Sequence, residues 1–168
     1  MTRSFFMHAR WLALPLLAGL AACASDPVRI PMGAMRADAI AQAGPPTTIY
    51  LLPDGGERLQ YSRAPMGTEV TNVDTNAAGR VVSVRQVLDE RYFSDTIQVD
   101  VWREADVLRT YGRPYEISRV SSFNGVIWSW RYRQINAPRF LHIYIDPQGV
   151  VRRYHVADDY TYERRLFR

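Results

Sequence analysis

No lysine occurs among the 168 residues, so all 21 basic side chains are arginines. Arginine is the better residue for bidentate contacts to carboxylate or phosphate, but these arginines are spread along the chain and form no nucleic-acid footprint. Only one cysteine is present, Cys23, which excludes an intrachain disulfide. Histidine is also scarce: His8 lies in the leader, leaving His142 and His155. His142, Tyr144 and Asp146 alternate on one stretch, and His155, Asp158 and Asp159 follow nearby. A half-exposed strand gives that pattern without a metal, and neither His-Glu-x-x-His nor a cysteine cluster strengthens it. A Ser-His-Asp set could be drawn from Ser121 or Ser122, His142 or His155, and Asp146, but no Gly-x-Ser-x-Gly elbow surrounds either serine. No glycine-rich strand-to-helix segment carries a phosphate-loop lysine. The expectation is a non-catalytic protein with no cofactor, no metal and no nucleic-acid partner.

What is present begins with a leader. Arg3, His8 and Arg10 precede the apolar stretch Trp11 to Leu20, which is too short to span a bilayer and reads as a secretory signal over residues 1–22. Its loss lowers the net charge from +4 to +2. The signal runs into Leu20-Ala21-Ala22-Cys23, which resembles the lipobox of bacterial lipoproteins. That resemblance implies that Cys23 becomes the acylated first residue of the mature chain. Three acyl chains, at about 0.8 kcal/mol per buried methylene, make a lasting anchor. The same resemblance, with Ala24 where an aspartate would favour the inner membrane, implies the outer membrane, facing the periplasm. Residues 23–32, with two prolines and no periodicity, read as a tether that lifts the folded part off the membrane.

Beyond the tether, one block is written twice. Ala37-Asp38, Gly44-x-Pro46, Asp54-Gly55, Tyr61 and Asn76-x-x-Gly79-x-Val81 return as Ala105-Asp106, Gly112-x-Pro114, Asn124-Gly125, Tyr132 and Asp146-x-x-Gly149-x-Val151, at offsets of 68, 68, 70, 71 and 70 residues. Such slow drift between turn signals is what duplication followed by loop trimming leaves. The repeats are expected at 33–90 and 97–158, with a tail at 159–168. Each opens with a helix, Met35 to Ala43 or Val101 to Tyr111, stopped by Gly44 or Gly112 and the prolines that follow. The period then changes from 3.6 to 2. Ile49 to Leu52 and Arg58 to Ser62 flank one turn; Ile117 to Phe123 and Val126 to Arg133 flank Asn124-Gly125, a strong hairpin signal. Asn76 to Gly79 and Asp146 to Gly149 suit type I turns closing a further hairpin. The fold class expected is α+β: two tandem units, each a short helix and three or four antiparallel strands, with helices on one face.

Alternation assigns the faces. Trp128, Trp130, Tyr132 and the Leu141, Ile143, Ile145 series belong under the helices. Arg131, Arg133, Phe140, His142 and Tyr144 are then expected to face solvent as a partner-binding set, because Tyr and Arg dominate interface energetics. A solvated face of cross-strand pairs is the bland alternative.

The order Gly112-x-Pro114, Trp130-x-Tyr132, Leu141-x-Ile143-x-Ile145-Asp146 and Gly149-Val150-Val151, with the lipobox, resembles the BamE (SmpA/OmlA) family of outer-membrane lipoproteins. The resemblance covers about 97–158 and more faintly 33–90. It implies an accessory role in beta-barrel protein assembly, through contacts with another lipoprotein subunit and with anionic phospholipid headgroups. Members usually carry one copy, so no contact residue carries over. Leu59-Gln60-Tyr61 lacks the tryptophan, and Val99 to Trp102 lacks the Gly that Met32-Gly33 supplies before the first helix. A duplicated unit is also similar to the beta-lactamase inhibitory proteins, which present a concave aromatic sheet to an enzyme. A periplasmic protein-binding or inhibitory module is therefore the alternative role.

Overall fold

A computed structural model describes residues 26–160. Cys23, and with it the expected lipid attachment, lies outside the described residues. One turn of 3-10 helix (Pro27–Arg29) leads into α1 (Arg36–Ala43), then β1 (Thr48–Leu51), β2 (Glu57–Ser62), β3 (Val70–Thr75) and β4 (Val81–Gln86). The second half runs α2 (Glu90–Thr96), α3 (Glu104–Tyr111), β5 (Glu116–Ser118), β6 (Val126–Gln134), β7 (Ala137–Ile145) and β8 (Val151–Asp158). The strands form two separate four-stranded antiparallel sheets, β1-β2-β3-β4 and β5-β6-β7-β8. The α+β class and the duplicated pattern are as the sequence led us to expect.

The two halves share hydrogen bonds as well as strand order. Arg36 N donates to Gly79 O at 2.8 Å and Glu104 N to Gly149 O at 3.1 Å; Val81 N donates to Ala34 O and Val151 N to Trp102 O, both at 2.9 Å. Each pair ties a helix start to the turn before its fourth strand. Asp100, at φ 65, stands where Gly33 has φ 82, so the backbone keeps the bend although the glycine is gone. Both sheets also carry a register shift at the same place, Asp74/Thr75 and Tyr144/Ile145.

Several boundaries differ from the sequence reading, each for a local reason. The described part of the tether is packed: Ile30 is 4% exposed in the first core. The second unit starts before residue 97, because Asp89 Oδ1 accepts Arg91 N and Tyr92 N and so caps α2, whose Phe93 enters the second core. It ends at Asp159, which is buried. Helix α3 starts at Glu104 rather than Val101. Arg103 is held in a β-bridge to Val150, and Asp106 Oδ2 accepts the Arg103 N–H at 2.9 Å. Its buried face is therefore Val107 and Tyr111, while Val101 is exposed. Strand β5 stops at Ser118, so Asn124-Gly125 closes no tight hairpin. Gly125 is needed instead for close approach, since a Cβ there would lie 2.2 Å from Ile145 O; Gly56 meets Thr75 O in the same way.

In the first core, α1 covers Leu59, Tyr61, Val73 and Val81; in the second, α2 and α3 cover Trp130, Tyr132, Leu141 and Ile143. Helix α3 also touches the opposite face of the first sheet, so the chain stacks as α1, first sheet, α2 with α3, second sheet. That contact is polar. Gln60 Nε2 donates to Leu108 O and Arg109 O at 3.2 and 3.1 Å, Asn72 Nδ2 to Thr110 O at 2.8 Å, and the Tyr50 hydroxyl to Leu108 O at 3.3 Å. The last carbonyls of a helix need such donors, and Gln60 and Asn72 are 1% and 2% exposed. Arg58 lies beside them in a bidentate pair with Asp74, both bonds 2.7 Å.

Gly112 ends α3 at φ 68, and a Cβ there would lie 3.0 Å from Gln60 Oε1. Gly112→Val is expected to cost about 2–3 kcal/mol, from backbone strain and displacement of Gln60 together, read as a lower urea midpoint. Gln60→Leu should cost about 1–3 kcal/mol by removing the donor to Asn72 Oδ1 and one of the donors to Leu108 O and Arg109 O, while Gln60→Glu at neutral pH should cost more.

Candidate docking face on the second sheet

Register places Ser129, Arg131, Phe140, His142, Tyr144, Arg153 and His155 on the face of the second sheet turned away from α3. Their rings form one row. Tyr115 and Phe140 have centroids 6.1 Å apart, Phe140 stacks on His142 at 5.4 Å, His142 on His155 at 4.9 Å, His155 on Tyr144 at 5.5 Å, and Tyr144 meets Phe123 edge-to-face at 5.2 Å. A guanidinium lies over each end: Arg131 is 4.1 Å from the Tyr115 centroid, and Arg153 is 3.9 Å from that of Tyr144. Such cation–π contacts contribute about 0.5–1 kcal/mol each when exposed.

Of the five residues expected to face a partner, Arg131, Phe140, His142 and Tyr144 are brought together in this row. Tyr144 is not open to solvent as expected: Arg153 and Phe123 cover it, leaving it 8% exposed. Arg133 is exposed but outside the row, its guanidinium donating to Asn136 O at 2.7 Å in the β6–β7 turn. Arg131 is only half-exposed and pairs with buried Asp159 at 3.1 Å. Sequence reasoning left Tyr115, Phe123, Arg153 and His155 out of the partner-binding set. The shift at Tyr144/Ile145 makes Arg152 an extra residue, so strict alternation from the Ile145 turn cannot assign β8. Arg152 instead pairs with Asp146 and Asp100 at 2.6 and 2.8 Å.

The residues weighed for chemistry separate. Asp146 closes its turn by accepting Gln148 N and Val150 N, and these bonds with Arg152 hold its carboxyl below the usual range. Asp158 pairs with Arg139. Ser121 and Ser122 sit in the exposed loop before β6. A different serine meets a histidine: Ser129 Oγ lies 2.8 Å from His142 Nδ1. Among the described residues no carboxylate hydrogen-bonds that ring, and no group of three or more metal-ligating side chains converges. The arrangement is a row of flat π faces with two cationic ends and a pair of imidazoles at its centre.

Comparison with protein-family models and with curated proteins returns no match. Among solved structures, a DUF4309 family protein (YjgB) from Bacillus subtilis subsp. subtilis str. 168 is 10% identical over 75% of this chain and 79% of that chain, with a TM-score of 0.32. A likeness of that degree says nothing about the role of either protein.

Burial, then His155, pushes the His142 pKa down; burial, then Arg153, does the same for His155. The unfolded chain therefore takes up these protons at higher pH than the folded one. Their contribution is complete above the usual imidazole value of about 6.5 and is lost as pH falls through the lowered folded values. The thermal midpoint is expected to drop between pH 7.5 and pH 5, and His142→Gln with His155→Gln should flatten that slope in a calorimetric series.

Proposed function

We propose that the chain is a non-catalytic outer-membrane lipoprotein, anchored through Cys23, that docks other proteins on the outer face of its second sheet. Its role is that of an accessory factor in beta-barrel protein assembly, in contact with a partner lipoprotein subunit and with anionic headgroups. One observation carries the docking part of this reading. In the first unit the corresponding face is a seam between the two halves of the chain: Gln60 and Asn72, at the positions of Arg131 and His142, hold the end of α3. On the second sheet the same face carries no helix among the described residues, and presents arginine-capped rings instead. Tyr and Arg are the side chains around which interface energy concentrates. The lipobox and the order of BamE-like motifs support the location and the assembly role.

The inhibitory alternative has less support. A concave surface built from both sheets needs both outer faces open, and α3 fills the first.

A photo-crosslinking residue in place of the exposed His155, in the intact lipoprotein in its native membrane, tests the reading. Adducts with barrel-assembly subunits are expected. Arg153→Glu should lower their yield about tenfold, a loss of ~1.4 kcal/mol, with the melting temperature lowered by only a few degrees through the lost contact with Tyr144. A single soluble hydrolase as the adduct favours the inhibitory role; no adduct at all removes the docking role.

A further inference from the structure

Asp26 is already fixed in place. Its carboxylate accepts Val28 N at 3.1 Å and its carbonyl accepts Arg29 N at 2.9 Å, and Ile30 follows into the first core. Only Ala24 and Ser25 separate Asp26 from Cys23. Fully extended, that interval spans at most about 11 Å. An acylated Cys23 holds its glycerol at the boundary between hydrocarbon and headgroups, and the headgroup layer is itself roughly 5–8 Å deep on each side. The segment therefore holds Asp26 no more than about 3–6 Å beyond the outer edge of the headgroup layer. Whatever surrounds Asp26 on its membrane side is within side-chain reach of that layer.

The surroundings are specific. Asp26 and Pro27 line a cavity of about 240 Å³ with Ser62, Arg63 and Glu69, at the base of the β2–β3 connection. That connection turns back at once, Gly67 N donating to Arg63 O at 2.7 Å. At its tip Met66 is 88% exposed. The Arg63 side chain is 60% exposed, and its pair with Glu69 at 3.3 Å is of the solvent-facing kind that contributes little. An adaptable apolar side chain on a loop tip beside a long guanidinium suits the boundary between acyl chains and phosphates.

We propose that the Arg63–Gly67 loop lies in the headgroup layer of the membrane that holds Cys23, with Met66 at the acyl boundary and Arg63 against lipid phosphates. This orientation rests on the reading of Cys23 as the acylated residue. Strand β3 then runs away from the bilayer for about 20 Å, and the Asn76–Gly79 turn at its far end faces the periplasm.

The test uses the acylated chain extracted from membranes, its mass measured intact, with Met66→Cys or Ala77→Cys carrying a nitrobenzoxadiazole label. Both positions are exposed, so neither change threatens folding. In phosphatidylcholine vesicles doped with a shallow spin-labelled lipid, the label at 66 should be quenched at least about twofold more than that at 77, which lies beyond the headgroup layer. An acylated chain quenched equally at both sites, or more at 77, overturns the orientation and leaves the lipoprotein reading intact. A mass without acyl chains overturns both.

Discussion

The end of α3 has two structural roles, and the rest of the molecule is arranged around them. Its apolar side, Val107 and Tyr111, belongs to the second core; its final carbonyls belong to the first sheet, through Gln60, Asn72 and Tyr50. Buried carbonyls without donors would cost about 1–3 kcal/mol each. The two units are therefore coupled by a seam whose polar groups must meet at fixed geometry. Units of this size bury a smaller share of their surface and are marginal alone, and the seam joins two of them into one body. Val70, Val87 and Leu88 of the first half extend the second core in the same direction.

Both sheets have the same two faces, and sequence divergence gave the outer ones different side-chain chemistry. On the first sheet the outer positions hold amides and the Arg58–Asp74 pair, chemistry suited to a helix end. On the second, the same positions hold Arg131, His142 and Tyr144, linked through Phe140 and His155, which lie between them in the row. Stacking covers part of the apolar area, so the face is less open than a bare row of aromatics, with Tyr144 nearly enclosed. A surface that is pre-ordered in this way loses less side-chain entropy when something docks on it. Burial, and then His155 for His142 and Arg153 for His155, favours the neutral form of both imidazoles at its centre.

Much of the fold was legible because its signals are local. The repeat could be read from turn residues, and the inner face from Trp128, Trp130 and Tyr132 against Leu141, Ile143 and Ile145, since alternation and burial obey a period of two. Misreadings arose where a distant contact decided the outcome. Val101 fits the helical spacing of α3, yet the bridge from Arg103 to Val150 delays the helix. Asn124-Gly125 has the composition of a tight turn, but its glycine answers to a carbonyl on β7. The site was half legible: alternation found Arg131, Phe140, His142 and Tyr144, whereas Tyr115, Phe123, Arg153 and His155 join only after loops fold over and a bulge resets the register.

By itself the sequence determined the class, the duplication and which side of each strand is apolar, because these follow from periodicity and turn chemistry within a few residues. It also set the three-residue step from Cys23 to Asp26, which covalent geometry alone converts into a distance limit. Only the tertiary structure decided that the sheets stay separate, that α3 fills one outer face while no helix covers the other among the described residues, and that Arg63 stands beside Asp26. Those outcomes depend on groups roughly 35 to 50 residues apart satisfying one another's hydrogen bonds and volume, and no local pattern encodes such a match.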